Sequence, residues 1–438
     1  MAALHRSSRN QRGQVLVLGM LLATVLGLAW MRYFATGQVL AAKTRLVHGL
    51  DAAAYSGALI QARTLNFLAY LNRARMAHQL AMAHLVTLGS WAHYAGMESR
   101  RLAQGNPPAH LIGMLFGADH GRAYLAAASA VGLEAQARAG GALGRAYAAH
   151  ERFVHELSAD LSRVLVRDLP QARLEAMRAV LSAHYPERKP GDLRPVVTED
   201  AWPGLLRRRA PDAPLFDWTR QLASLYPFLD PRDHTARNPW PVSGRCLQLR
   251  HELRRRGGTA LDDSGRWRAG DTQSFHAVRS NRWIGCYYRE YAMGWAWMPA
   301  RPGQSMDADH VDAPPDDFAD QDFWRWVRSS TQWDLVGGRD NPLANSYALR
   351  DKQAWTSRGL GDYLDVAAGK GRDAASGFVV RLEWPDASAG RPVRARSAAE
   401  SLFSRPGRRP DGLDETPSLF HPYWHARLAA GLSDAPGD

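Results

Sequence analysis

Cysteine is nearly absent: 438 residues contain only Cys246 and Cys286. Neither belongs to a CxxC pair and no second pair completes a zinc site, which argues against a thiolate metal centre. In an exported chain the two would form a disulfide closing a loop of about 40 residues; in a reducing compartment they would stay buried thiols. Catalytic signatures are missing as well. There is no GxSxG, no P-loop and no GxGxxG leading a helix, and neither cysteine has a local protease signature. The expectation is a non-enzyme with no cofactor and no metal. The formal charge is +12, carried almost wholly by arginine, yet no dense basic run interleaved with aromatics marks a nucleic-acid footprint. The arginines either line solvated faces of an Ala- and Arg-rich chain or meet an acidic partner, for which anionic lipid and cell-wall polymer suit this balance.

Proline and charge are both absent from Val15–Met31, an apolar run that reaches roughly 25 Å as a helix. Continued through a snorkelling Arg32 to Ala35, it matches a bilayer core of roughly 30 Å. Arg6, Arg9 and Arg12 precede it without an acidic residue, so the positive-inside rule keeps the N-terminus cytoplasmic and puts the bulk of the chain outside. No second run of this length follows, which limits the chain to a single pass. Three devices share this pattern: a cleaved signal, a trimmed pilin spine and a permanent anchor. Gly27-Leu28-Ala29 has cleavage-like spacing but sits inside the run. Gly13 suits a prepilin cut before Gln14, but Leu18 stands where such substrates usually carry Glu. A retained inner-membrane anchor is therefore expected.

Residues 38–100 also lack proline and return apolar side chains every three or four positions (Leu46, Leu50, Ala54, Leu68, Leu71, Met76, Leu80), predicting a long helix. Within it "DAAAYSGA", residues 51–58, is dominated by small side chains. Asp51, Ala52, Ala53, Ala54 and Gly57 either form a face that another backbone can approach closely or simply make a good helix. Asn106-Pro107-Pro108 breaks the pattern, and helical texture resumes at about 118–138, 142–167 and 170–184. The polar, turn-rich stretch 185–195 reads as a linker. Beyond it Gly, Pro and Trp become frequent, and "RWIGCYYREYAMGWAW" (282–297) and "GFVVRLEWP" (377–385) read as strands. The expected class is α+β: a cytoplasmic basic segment 1–13, a transmembrane helix 14–35, a helical stalk or bundle 36–184, the linker, and a mixed, Trp-rich extracytoplasmic domain 196–438.

Other clusters suggest less. The acidic run 307–317 lacks the Gly and the terminal Glu of a calcium loop and reads as a solvated loop. His421 and His425 are four apart, but Pro422 predicts a helix starting there with His421 near its N-cap. His78, His84 and His93 read as helix-surface or packing residues. The many tryptophans of the C-terminal half are either packing residues or a platform for sugar rings.

The N-terminal 10–80 region, with Gly13 and Gln14 opening the apolar span and "HGLDAAAYSGA" after it, resembles TadE/TadG-like proteins of tight-adherence (Flp) pilus assembly systems. The end "FSRPGRRPDGLDETPSLFHPYWHARL" resembles a large, TadG-like branch of that group. The resemblance implies a non-catalytic, envelope-anchored assembly factor or minor pilin-like component whose partners are membrane lipid and other pilus-assembly proteins. The alternative is a membrane-tethered periplasmic glycan-binding module or cell-wall enzyme.

Overall fold

The computed structural model describes residues 12–103, 109–126, 132–283, 285–298, 349–352, 355–367, 376–384, 392–413 and 415–429. The architecture is mixed helix and sheet. One long helix, α1 (Arg12–Ala103), opens the chain. It is followed by α2 (Ala109–Phe116), α3 (Ala118–Ala126), α4 (Leu133–Ala137) and α5 (Ala142–Arg152). A π turn, Phe153–Leu157, leads into α6 (Ser158–His184). Strands β1 (Val196–Asp200) and β2 (Leu206–Arg209) precede α7 (Ala213–Ala223). The rest is strand: β3 (Arg232–Arg237), β4 (Glu252–Leu261), β5 (Trp267–Asn281), β6 (Gly285–Met298), β7 (Leu349–Lys352), β8 (Tyr363–Val366), β9 (Ser376–Trp384), β10 (Val393–Phe403) and β11 (Trp424–Leu428).

The chain divides into two compact units, each assembled from distant segments: residues 1–70, 162–207 and 364–438 form one, and 71–161 and 208–363 the other. This differs from the expected linear order of stalk, linker and domain. Residues 185–195, read as a linker, join α6 to β1 within the first unit, where Tyr185 and Leu193 are buried in the core and most of the residues between them are exposed.

In the first unit a four-stranded antiparallel sheet, ordered β1-β9-β10-β11, supplies the core with alternate residues. Phe378, Val380 and Leu382 of β9 meet Leu46, Leu50, Ala53, Ala54 and Ala58 of α1 and Met177, Leu181 and Tyr185 at the end of α6. Val379, on the opposite face, joins Ala398 and Ala429 instead. The α1 residues recur at three- and four-residue intervals, the helical period read from the sequence. A second cluster places Ala62, Leu65 and Leu68 against Leu169, Trp202, Leu419 and Trp424. Asn66 closes it in both directions, donating to the Trp424 carbonyl and accepting from the Trp424 N–H, each at 3.0 Å.

The second unit is built on a five-stranded sheet, β3-β4-β5-β6-β7, antiparallel up to β6 and parallel between β6 and β7. β5 is buried along most of its length. The β4–β5 connection turns at Asp262, whose Oδ1 accepts the N–H groups of Ser264 and Arg266, while Gly265 takes φ +74°.

Pro422 does not start a helix. Trp424–Leu428 is extended and pairs with β10, Phe403 opposite Trp424, so His421 and His425 do not lie on one helical face. Strand pairing prevailed over the local N-terminal signal. The segments "DADHVDAPPDD" (307–317) and "PDDFADQDFWRWV", and the Asn106-Pro107-Pro108 break, lie outside the described residues.

Candidate functional site

The start of α1 is the most unusual surface of the molecule. Every large apolar side chain from Val15 to Phe34 is 59–78 % exposed. An apolar surface of this extent in water would cost far more than the isolated exposed residues of an ordinary surface. The helix is long and apolar enough to cross a membrane, and none of the described residues buries its apolar window. Gly13 and Gln14 stand at its first turn, and a side chain at Gly13 would meet no other atom.

Burial begins at Leu46. Just before it, an open groove of about 650 Å³ lies beside Gly37, Leu40, Thr44, His48, Gly49 and Tyr185. The Tyr185 hydroxyl donates to the Arg45 carbonyl at 2.6 Å, and Trp384 meets the Tyr185 ring edge to face at 4.7 Å. Arg45 forms an exposed ion pair with Glu187 at 2.9 Å, an interaction worth little by itself.

The small-residue stretch is engaged within the chain. Ala53 and Ala54 are fully buried against α6 and the sheet, and Asp51 accepts a 2.6 Å hydrogen bond from the Ser397 hydroxyl. Ala52 is half-buried. A Cβ at Gly57 would lie 3.0 Å from Arg173 Cγ, 3.1 Å from Phe378 Cζ and 3.2 Å from Met177 Cγ. Close approach is what this face permits, but the approaching groups are the protein's own sheet and α6, not a partner's helix.

Sequence reasoning missed the polar centre beneath that face. Arg173, fully buried, donates to Gln61 Oε1 at 2.8 Å, pairs with Asp200 and stacks over the Phe378 ring at 4.3 Å. Nothing in the sequence sets Arg173 apart from the other three arginines of α6, because its partners come from α1 and β1.

In the second unit Asp271 is bound by Arg232 at 3.0 Å and by the Ser90 hydroxyl at 2.6 Å. Burial holds its carboxyl above the usual range although Arg232 and Ser90 favour the charged form. Around the π turn, His78 Nδ1 lies 2.8 Å from His150 Nδ1, and its ring stacks on Phe153 at 3.8 Å. Burial lowers the pKa of both imidazoles, which favours neutral rings, one donating to the other. His155 uses Nε2 on the Gly359 carbonyl at 2.9 Å. His84 packs edge-on against Tyr226 and Phe228. These are packing roles, and among the described residues no group of three or more His, Cys, Asp or Glu could hold a metal ion.

Cys246 and Cys286 are bonded to each other, with Cα atoms 5.9 Å apart. Among the described residues, Trp202, Trp267, Trp355 and Trp424 are buried, whereas Trp30, Trp91, Trp218, Trp240 and Trp283 are exposed.

The chain matches no protein-family model, and no curated protein or solved structure is significantly similar to it.

Proposed function

We propose that this protein is a non-catalytic, single-pass membrane component of a tight-adherence (Flp-type) pilus assembly or secretion apparatus, with its bulk outside the inner membrane. The observation that carries the reading is the bare apolar start of α1, which no described residue covers and which runs without interruption into the packed helix. Lipid is the solvent that such a surface requires. The disulfide supports an oxidising compartment for the second unit, in keeping with arginines before the span and export after it. The likeness of residues 10–80 to TadE/TadG-like proteins supplies the apparatus. Four buried tryptophans, Trp202, Trp267, Trp355 and Trp424, are out of reach of any sugar-binding platform.

The test is fractionation with alkaline extraction, coupled to N-terminal sequencing. An intact leader in the carbonate-resistant membrane fraction, with Cys246 and Cys286 oxidised, is the expected outcome. A start at Gln14 would instead make the protein a trimmed subunit, and a start at Trp30 a secreted one. Deleting the gene should abolish surface fibres; normal piliation would refute the assembly role.

A further inference from the structure

The disulfide gathers two segments of the second unit into one tip. Residues 239–250 form a loop between β3 and β4, closed at its base where the Asn238 N–H donates to the His251 carbonyl at 2.9 Å. Cys246, at its centre, is tied to Cys286 at the start of β6, directly after the β5–β6 turn. Tight turns hold the loop: Cys246 N–H donates to Ser243 O, and Leu249 N–H to Cys246 O. Asn238 and Asn281 side chains accept the N–H groups of Trp240 and Trp283 and so fix the backbone from which each ring departs.

Three large apolar side chains emerge from this tip. Trp283 is 80 % exposed, Leu247 63 % and Trp240 49 %. Four arginines lie close to them in sequence, Arg245 and Arg250 in the loop and Arg279 and Arg282 in the hairpin, with Arg282 over the Trp283 ring at 4.7 Å. Residues 238–251 and 277–288 contain no Asp or Glu. The nearest acid in sequence, Glu252, is taken by Arg237 and Arg254.

We infer that this disulfide-braced tip docks on an anionic phospholipid surface. Tryptophan sits stably at the level of the headgroups, a bare leucine gains by entering the acyl boundary, and arginine is drawn to the negative surface while its stem packs beside the rings. A glycan is the poorer fit. Sugar hydroxyls need acceptors as well as donors, and arginine provides donors alone. An aliphatic Leu247 also has no ring face to offer a sugar. The inference is separate from the assembly role, and a second membrane is as suitable a surface as the one α1 enters.

The test uses the full-length chain held in phosphatidylcholine nanodiscs and floated with vesicles of phosphatidylcholine alone or doped with phosphatidylglycerol. Only the doped vesicles should carry the protein upward. Leu247→Ser with Trp283→Ser should weaken the binding at least about tenfold, and Arg245→Gln with Arg282→Gln about thirtyfold. Both pairs lie on the surface, so melting temperature and the disulfide should be unchanged. Equal flotation of the wild type and both variants, or none with doped vesicles, overturns the inference. Variant-sensitive binding to polygalacturonate without vesicle binding also overturns it, in favour of a glycan. Loss of the chain from the discs counts against the anchor alone, and flotation is then read on the chain free of discs.

Discussion

The indole N–H of Trp202 donates to the Val166 carbonyl at 3.1 Å, and that carbonyl is the one Pro170 leaves without a helical partner. Proline inside α6 removes the N–H that would reach back four residues. The protein places a buried tryptophan from the next segment of the chain over the gap. Trp202→Phe keeps the ring but orphans the carbonyl, and should destabilise the fold by about 1–3 kcal/mol. In a Pro170→Ala background the restored N–H can satisfy Val166, so the same replacement should cost clearly less. Urea unfolding of the four solubilised variants measures the coupling, and strict additivity would refute it.

Gly49 should be intolerant of any side chain, and Gly57 of any larger than a methyl. A methyl at Gly49 would occupy the place of the Tyr185 hydroxyl and break its bond to the Arg45 carbonyl. Gly49→Ala is expected to cost about 1–3 kcal/mol, and Gly57→Leu and Ala53→Leu at least as much. Thermal melts should register these losses before any assembly phenotype appears. Native stability with lost assembly would restore the view of this face as a partner surface.

Opening the disulfide should leave the second unit folded but weaker. Cys246 and Cys286 are 40 residues apart, and closing a loop of that length restricts the unfolded chain by about 3–4 kcal/mol in the entropic account. A reductant, or Cys246→Ser with Cys286→Ser, should lower the melting temperature by several degrees. An unchanged melt would show that the unit does not depend on its brace.

Acid should loosen the second unit through His251. Its Nδ1 accepts the Val278 N–H at 2.9 Å, and burial together with nearby Arg279 lowers its pKa from 6.5 to about 4. The unfolded chain takes up a proton near pH 6.5 and the folded chain does not. Stability from this group is therefore complete above pH 6.5 and declines as pH falls towards 4, where it levels off. Solvent screening of the partly exposed ring limits the loss to about 1–2 kcal/mol. His251→Gln should flatten the stability profile across this window. The same slope in wild type and variant would assign the effect to other groups.

Local chemistry determined a good part of this protein. The missing prolines and the return of apolar residues at three and four made α1 legible, because both constraints act within a few turns of one helix. Alternation made β9 and much of β6 legible for the same reason, since period two is a property of the strand alone. The small residues around Ala53 and Gly57 announced close packing but not against what. Only the tertiary structure decided that Phe378, Met177 and Arg173 fill that place, as these come from elements more than a hundred residues away. It also decided that Trp424–Leu428 is a strand, because ladder hydrogen bonds to β10 outweigh what Pro422 favours locally. The division into units escaped linear reading altogether. Each unit is knit from segments far apart in the chain, and burial is a property of what meets in space, not of what is adjacent in sequence.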